Sequence, residues 1–256
     1  MSVRNAKKIL ALQRRKHRDA ENQFLIEGVR LCEEAVRSSA AIEQMVFCRE
    51  TMADNSRLAD LHSQAREQNI PIQETNRRAM LGMCDTETPQ GVLGIVGMPT
   101  WDRPAAGASS RSVLLLDRIR DPGNLGLILR TAEAAGVDAL FIARKSVELY
   151  NPKVVRASMG SIFRLPVFRD QDLDAVIPEL QARGVTVYAT HMDGTSYETV
   201  QPSQPWALLL GNEAFGVDPA LSASADTLIS VPMAAPVESL NVAIATGILL
   251  YHLNRS

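Results

Sequence analysis

Polar residues that could do chemistry are concentrated in three loops that border apolar runs. One loop reads DPGN and is followed by an arginine, the second contains a Gly-Asn-Glu triplet, and the third is rich in Ser, Glu and Asn: Asn124, Arg130, Glu213, Glu238, Ser239 and Asn241. Such loops offer backbone groups and apolar side chains together. A pocket of that kind suits a ligand that is flat, polar at its edges and not highly phosphorylated.

Short apolar strands must position these loops. The runs Leu208 to Leu210 and Leu228 to Val231 show no alternation, which predicts parallel strands covered on both faces. The run SVLLLD predicts a further buried strand just before DPGN. Ligands of open parallel sheets bind at the carboxyl ends of the strands, so we expect the loops to meet at one sheet edge.

Two helices are predicted to begin at these loops. Asp121-Pro122-Gly123 predicts a tight turn, after which a helix carries Ile128, Leu129 and Ala132 inward and ends at Gly136. The last segment predicts a helix with Ser239 as N-cap and a core face formed by Leu240, Ile244, Ile248 and Tyr251. Asn124 and Arg130 are six residues apart and can flank one cleft without sharing a helix face. The pattern G-x-G-x-x-G is absent, which weakens a dinucleotide-binding interpretation.

The charge distribution is uneven. The net charge of the 256 residues is −2, yet the first 18 residues contain no acid and seven basic residues: Arg4, Lys7, Lys8, Arg14, Arg15, Lys16 and Arg18. A local basic cluster is typical of a nucleic-acid contact surface, although a solvated helix face or a flexible tail fits the charge alone equally well. Lys153, Arg156 and Arg164 give the middle of the chain a positive character that also suits a polyanion.

The chain predicts two α/β domains in a soluble, cytoplasmic protein. Strand and helix patterns alternate over residues 1–98, a Pro/Gly/Ser-rich linker covers 99–110, and a second domain covers 111–256. Cys32, Cys48 and Cys84 lack the spacing of a disulfide framework or a zinc site, so we expect buried thiols and no metal. No apolar run is long enough for a membrane helix.

Taken together, DPGNLGLILRTAEAAG, LLLGNEAFG and VPMAAPVESLNVAIA resemble the three ordered motifs of the SpoU, or TrmH-like, family of RNA ribose 2′-O-methyltransferases. YNPKVVRASMG is also similar to this family. The first domain, with FLIEGVRLCEEA, resembles the L30e-like substrate-binding domain that many rRNA-modifying members carry.

The resemblance implies a SPOUT-type parallel sheet with a deep C-terminal trefoil knot, a smaller N-terminal L30e-like α/β domain, and a homodimer. It also implies S-adenosylmethionine as cofactor, held largely through backbone groups of five residues: Thr190, Gly211, Val231, Met233 and Leu240. The catalytic residues carried over by motif are Asn124, Arg130, Glu213, Ser239 and Asn241. The RNA-binding residues we expect are Arg4, Lys7, Lys8, Arg14, Arg15, Arg18, Lys153 and Arg156.

The implied activity is S-adenosylmethionine-dependent methylation of a ribose 2′-hydroxyl in RNA, with large-subunit 23S rRNA favoured by the L30e-like domain. Arg130 is the residue type that can fork onto phosphate oxygens, and we expect it to polarise the hydroxyl while the other four residues orient it. Two alternatives stay open at this point. One is a tRNA ribose methyltransferase, and the other is a non-catalytic RNA-binding or ribosome-assembly protein.

Overall fold

The computed structural model describes residues 3–102 and 111–254. Contacts group the chain into two units, one formed by Met1–Thr100 with Tyr150–Phe163 and the other by Trp101–Leu149 with Arg164–Ser256. The expected linker lies outside the described residues except for 99–102. The predicted limits at residues 98 and 110 stay a prediction, and the grouping departs from them only in assigning residues 150–163 to the first unit.

The first unit contains short strands and helices in alternation, as the sequence predicted. Its elements are α1 (Val3–Leu12), α2 (Arg15–Glu21), β1 (Gln23–Glu27), α3 (Val29–Arg37), β2 (Ile42–Cys48), α4 (Arg49–Ala53), α5 (Ser56–Glu67), β3 (Ile72–Thr75), α6 (Arg77–Leu81) and β4 (Val92–Gly97). The strands form a mixed sheet in the order β1-β4-β2-β3, in which only β2 and β3 are parallel.

The basic opening of the chain belongs to this core. Ile9 and Leu12 of α1 are fully buried against a cluster that includes Val46, Met80 and Ile95. The helix α1 is therefore packed on the core of the unit and is not a flexible tail. The segment 150–163 joins the same unit through aromatic contacts, since the Phe24 ring lies 4.7 Å from Tyr150 and 6.3 Å from Phe163 between centroids.

The second unit is a six-stranded sheet with helices. Along the chain the elements are β5 (Ser112–Leu116), α7 (Pro122–Ala134), β6 (Ala139–Ala143), α8 (Pro152–Ala157, in the first unit), β7 (Val167–Gln171), α9 (Leu173–Gln181), β8 (Thr186–Ser196), β9 (Trp206–Leu210), α10 (Pro219–Ala223), β10 (Thr227–Ser230) and α11 (Val242–Leu253). The strand order is β10-β8-β9-β5-β6-β7, and every pair is parallel. Strands β5, β6 and β9 are buried along their whole length, as continuous apolar runs predict.

Strand β8 extends to Ser196, because its pairing with β10 resumes at Thr195 after a register shift. Two local predictions were wrong. The helix α7 starts at Pro122, so Asp121-Pro122-Gly123 is a helix start and not a separate turn. The predicted core face of α11 is largely exposed: Ile244 and Tyr251 are 53% and 57% exposed, whereas Thr246, Leu249, Leu250 and Leu253 are buried. This helix is apolar on nearly all sides, so periodicity could not identify its buried face.

In the described ranges, no helix is both long and apolar enough to span a bilayer. Within the same ranges no group of three or more His, Cys, Asp or Glu side chains is arranged to hold a metal ion. Cys32 and Cys48 are buried as predicted, and Cys84 is partly exposed. The trefoil knot stays a prediction.

Candidate active site

The candidate active site lies at the carboxyl edge of the six-stranded sheet. Strands β5 and β9 are adjacent and parallel, with Leu116 opposite Leu210, so the loops that follow them leave the sheet side by side. The β5 loop leads into α7 and the β9 loop carries Glu213. The sheet therefore brings the first two predicted motifs together, as expected for a parallel α/β sheet.

Glu213 is the centre of a hydrogen-bond network between these loops. Its Oε1 accepts from the side-chain amide of Asn124 at 3.0 Å and from the backbone N–H of Asp121 at 3.1 Å. Its Oε2 accepts from the backbone N–H of Arg120 at 3.2 Å. One carboxylate thus fixes the start of α7, which is the position from which Asn124 projects.

The third motif joins through Asn241. Its side-chain amide donates to Oδ1 of Asn124 at 2.8 Å. Asn124 therefore donates to Glu213 and accepts from Asn241, and the three residues form one continuous chain. They come from three separate motifs and were each predicted from the sequence, and the structure brings these three together.

Local sequence explains where both helices begin. Asp121 is the N-cap of α7, with its Oδ1 accepting from the N–H of Asn124 at 2.8 Å, and Pro122 occupies the first helical position. Asn241 is the N-cap of α11 and accepts from the N–H of Ala243 at 2.9 Å. The prediction of Ser239 as N-cap was wrong by two residues, because both residue types cap helices well and only the folded chain selects between them.

The charge state of Glu213 follows from its surroundings. Burial raises the pKa of its carboxyl, but the hydrogen bonds from Asn124 and from the backbone amides outweigh that effect and leave the pKa below its ordinary value of 4.5. Glu213 is consequently a carboxylate at neutral pH. Its oxygens are engaged with donors, which suits an organising residue better than a general base.

Two predicted catalytic residues lie outside this network. Arg130 is exposed on α7, about 9 Å further along the helix axis than Asn124 at 1.5 Å per residue. Ser239 is exposed in the loop before α11. Within the described part of the chain, neither side chain makes a hydrogen bond or an ion pair. Arg130 therefore presents an exposed guanidinium about two turns into α7, with no partner among the described residues.

The predicted cofactor residues lie in or after three neighbouring strands. Thr190 lies in β8, Gly211 follows β9 and Val231 follows β10, and these three strands are adjacent in the order β10-β8-β9. Met233 and Leu240 belong to the loop after β10, in which Met233 is 37% exposed. The edge thus combines backbone groups with accessible apolar side chains. This donor set fits S-adenosylmethionine, which has a flat purine, polar edges and no phosphate.

Gly211 has a strict steric role at this edge. A Cβ atom on Gly211 would overlap the backbone nitrogen of Val217 and the carbonyl of Gly216. Any side chain there would push apart the hairpin that carries Glu213. Glycine is required by close backbone approach at this position, not by a positive φ.

The sequence analysis did not identify four residues that support this hairpin: Asp117, Arg118, Asn212 and Asp218. Asp117 is 3% exposed at the end of β5, and its carboxylate contacts Arg118 and the backbone of Asp218. Asn212 contacts the carbonyl of Arg118. An acid that ends the apolar run SVLLLD is a signal that could have identified Asp117. The roles of Asn212 and Asp218 could not be foreseen, since they lie 94 and 101 positions from their partners in sequence.

The expected RNA-binding residues divide into three groups in the first unit. Lys8, Arg15 and Arg156 form ion pairs with Glu43, Asp19 and Asp85 at 2.6, 3.3 and 2.8 Å. Lys7, Arg14 and Lys153 are exposed and have no ion-pair partner among the described residues. The side chain of Arg4 lies outside the described residues.

Arg18 is a correction to the expected RNA-binding set. It is 4% exposed, and its guanidinium donates to the carbonyls of Leu12 and Gln13 at 2.9 and 2.8 Å. These carbonyls end helix α1, where orphan acceptors need donors. Arg18 therefore stabilises the fold of the N-terminal helices and is not accessible to a phosphate.

Comparisons with known proteins agree with this geometry. Residues 111–251 match the model of the SpoU rRNA Methylase family, and residues 4–94 match an MRM3-like substrate binding domain. The chain is 39% identical over 243 residues to the 23S rRNA (guanosine(2553)-2′-O)-methyltransferase RlmP of Bacillus subtilis, covering 94% of this chain and 92% of the relative.

Solved structures show the same fold. An AdoMet-bound rRNA methyltransferase from Sinorhizobium meliloti is 33% identical, with a TM-score of 0.84 and coverage of 100% of this chain and 96% of that chain. A structure described as giving insights into 2′-OH methylation of C/U34 on tRNA covers only 57% of this chain, at 29% identity and a TM-score of 0.52, and 96% of its own length. The α/β fold of SPOUT type, predicted from the resemblance, is thereby confirmed, and the chain belongs to the SpoU rRNA methylase family.

Proposed function

We propose that this protein transfers a methyl group from S-adenosylmethionine to the ribose 2′-hydroxyl of a guanosine in 23S rRNA. Family membership confirms the predicted class, an S-adenosylmethionine-dependent RNA 2′-O-methyltransferase. The single observation that carries the proposal is the chain Asn241–Asn124–Glu213 at the carboxyl edge of the sheet. Guanosine is favoured because the RlmP relative, which aligns with nearly the whole chain, is named for it.

The site residues act mainly by positioning. Methyl transfer requires in-line attack by the hydroxyl oxygen, so the site must hold two reactants aligned and assist loss of the hydroxyl proton. S-Adenosylmethionine supplies the methyl group when bound. Glu213, Asn124 and Asn241 hold the loops in one arrangement, and Ser239 supplies an exposed hydroxyl on the loop before α11.

Arg130 is the proposed contact to the RNA backbone. Its guanidinium is a cation that offers several N–H donors in a planar fork and has no acceptor. The exposed and unpaired side chain can fork onto phosphate oxygens and polarise the adjacent 2′-hydroxyl. Because Glu213 is occupied by donors, neither residue is a free base, and we infer that the proton leaves to solvent or to a substrate oxygen.

S-Adenosylmethionine is proposed to bind across the ends of β10, β8 and β9. Thr190, Gly211, Val231, Met233 and Leu240 would hold it there. The hydroxyl of Thr190 already donates to the carbonyl of Leu209 at 3.2 Å, so this side chain ties β8 to β9 and offers the cofactor little beyond its backbone. These loops have few charged side chains, which supports binding of S-adenosylmethionine mainly through main-chain groups.

The first domain, proposed as residues 1–98, is inferred to bind the RNA. Its match to a substrate-binding domain model supports this role. Lys7 and Arg14 of this domain, and Lys153 of the segment 150–163 that groups with it, are the proposed phosphate contacts, since they are exposed and no carboxylate in the described chain neutralises them. Lys8, Arg15 and Arg156 would first have to leave their carboxylate partners.

A homodimer is also proposed. Helices α7 and α11 are in contact, and each carries exposed apolar residues: Leu127 of α7 is 42% exposed, and Ile244 and Tyr251 of α11 are 53% and 57% exposed. Contiguous exposed apolar surface on a helix pair is typical of a protein interface. Arg130 lies one turn after Leu127 on α7, so a second copy on this surface would border the arginine. We place the enzyme in the cytoplasm because ribosomal RNA is there.

The proposal is tested in cells. The 23S rRNA of a strain lacking this protein is digested, and its ribose-methylated nucleosides are compared by mass spectrometry with those of the parent strain. We expect loss of one 2′-O-methylguanosine, which the wild-type gene restores and an Arg130→Ala gene does not. Loss of a ribose methyl from tRNA instead would support the tRNA alternative. An unchanged pattern in both RNA pools would favour the non-catalytic alternative.

A further inference from the structure

The end of strand β5 holds a partly buried ion pair that the proposed chemistry does not use. The guanidinium of Arg118 donates through Nε to Oδ1 of Asp117 at 2.8 Å and through Nη2 to Oδ2 at 2.9 Å. The Asp117 side chain is 4% exposed and that of Arg118 is 30% exposed. Burying a charge is costly unless it is paired and hydrogen-bonded, and here both conditions are met.

Asp117 and Arg118 contact both ends of the hairpin Gly211–Asp218, through their backbone at one end and their side chains at the other. At the near end, the backbone N–H of Asp117 donates to Leu210 at 2.8 Å, and the Asn212 amide donates to the carbonyl of Arg118 at 2.9 Å. At the far end, the N–H of Asp218 donates to Oδ2 of Asp117 at 2.9 Å, and the Arg118 guanidinium lies 3.6 Å from the Asp218 carboxylate. Residues 117 and 118 therefore clasp the hairpin at its two ends.

The hairpin between these ends is internally fixed. Asn212 and Gly216 exchange two backbone hydrogen bonds of 2.9 and 2.8 Å. Oδ1 of Asn212 also accepts from the N–H groups of Ala214 and Phe215 at 3.0 and 3.2 Å. A hairpin tied in this way moves as one piece. Glu213 lies inside it, so its position relative to α7 depends on how the ends are held.

The backbone at the clasp is itself unusual. Arg118 has φ = +52°, in the left-handed region that favours glycine or asparagine. Arginine in this conformation persists only where its surroundings hold it there, and such residues concentrate at functional sites. The surroundings are the fork to Asp117 and the bond from Asn212. An arginine at this point can reach the Asp117 carboxylate, which glycine could not do.

We propose that Asp117 and Arg118 are positioning residues for methyl transfer, which act by clasping the Gly211–Asp218 hairpin and so setting Glu213 against Arg120, Asp121 and Asn124. This inference rests on the proposed function. The clasp touches neither reactant, and its effect on turnover passes through Glu213. Displacements of about 1 Å can cost on the order of 100-fold in rate, so a loosened clasp is expected to lower kcat strongly.

The test is a double-mutant cycle with Asp117→Asn and Glu213→Gln. Asparagine keeps the size of Asp117 but cannot accept the guanidinium fork with both atoms. We expect Asp117→Asn to lower kcat by on the order of 100-fold with the KM for RNA unchanged. In the Glu213→Gln background the same substitution should lower kcat little further, because residues that act as one unit are not additive. Additive losses would overturn the inference.

A matched control separates positioning from general stability. Asp138 is another strand-end carboxylate, which accepts from the N–H groups of Arg111 and Ser112 at 2.7 and 2.9 Å at the opposite end of β5. Asp138→Asn is expected to lower the melting temperature without lowering kcat. Equal loss of kcat in both variants, in proportion to their loss of stability, would show a merely structural role for Asp117.

A second readout does not depend on activity. Hydrogen exchange of backbone amides in Gly211–Asp218 is expected to accelerate in Asp117→Asn and in Arg118→Gln, and to stay at the wild-type rate in Asp138→Asn. Arg118→Gln also serves if Asp117→Asn does not fold. Unchanged exchange in the hairpin overturns the clasp whatever the activity. A wild-type enzyme that methylates no RNA, with normal exchange differences, would instead contradict the proposed function and leave the clasp standing.

Discussion

Carboxylates accept hydrogen bonds from backbone amides at both edges of the six-stranded sheet, but they hold different kinds of loop. At the amino edge, Asp138 accepts from the backbone at the start of β5, and Asp226 accepts from the N–H of Val187 at 2.7 Å and from the Gln181 amide at 3.1 Å. At the carboxyl edge, Asp117 and Glu213 accept from backbone groups in the same manner. Each edge therefore has carboxylates that accept hydrogen bonds from backbone amides at or beside the strand ends.

The edges differ in what the carboxylates hold. At the amino edge they close short connections between a helix and the next strand. At the carboxyl edge they hold loops that also expose residues with binding capacity, among them Phe215 at 84% exposure and Met233 at 37%. A hydrogen-bonded carboxylate alone therefore does not indicate a functional site. A carboxylate that fixes a loop with other, accessible residues does.

The largest difference between the edges is expected for glycine substitutions. Gly211→Ala places a Cβ into the backbone of Gly216 and Val217, so the hairpin must shift and S-adenosylmethionine binding is expected to weaken by at least about 100-fold. Gly184→Ala, at the amino edge, meets no atom within 4 Å but must accept φ = +78°. Its cost is confined to stability, roughly 1 kcal/mol from the left-handed conformation.

The measurements are calorimetric titration with S-adenosylmethionine and thermal unfolding of both variants. Normal cofactor binding by Gly211→Ala would show that the hairpin is not part of the cofactor site. Weakened cofactor binding by Gly184→Ala would show that the amino edge also controls the site, and the contrast between the edges would fail.

A smaller difference is expected for matched amide-to-acid substitutions. Asn124→Asp replaces a donor 3.0 Å from Glu213 with a carboxylate, and Gln181→Glu does the same 3.1 Å from Asp226. Both changes create like-charge repulsion. Only Asn124→Asp should lower kcat, by about 10- to 100-fold, because it removes the hydrogen bond from Asn124 to Glu213 and so separates Glu213 from Asn241. Steady-state methyl transfer with both variants decides this, and equal losses would contradict the account.

The smallest effect is a pH dependence of stability. The folded-state pKa of Glu213 is lowered by its hydrogen bonds, so its contribution is present above the unfolded pKa, near 4.5, and is lost as pH falls through the lower folded pKa. The difference in melting temperature between wild type and Glu213→Gln should thus shrink as the pH falls below about 4.5. A difference that grows on acidification would mean that the carboxylate destabilises the fold.

The sequence predicted the parts of the site that depend on local pattern. Apolar runs such as SVLLLD and WALLL predict strands that are covered on both faces, and the structure has such strands. The loops that carry Asn124, Glu213 and Asn241 were predicted from the ends of runs of this kind. The first domain was predicted as alternating strands and helices, and the structure has this alternation.

What the sequence could not supply were choices made by tertiary structure. Ser239 and Asn241 cap equally well in principle, and only the contact to Asn124 selects Asn241. Arg18 has the same charge as Arg14, yet burial gives it a structural role. The bond between Asp117 and Asp218 joins residues 101 positions apart, and the positive φ of Arg118 leaves no trace in composition.

The most direct test of the central claim is methyl transfer by the purified protein. Labelled S-adenosylmethionine is incubated with 23S rRNA from a strain lacking the enzyme, using wild type, Arg130→Ala and Gln181→Glu. The account predicts label in a single guanosine ribose with wild type and Gln181→Glu, and a loss of on the order of 100-fold or more with a normally folded Arg130→Ala. Wild-type levels of label with Arg130→Ala would contradict the account.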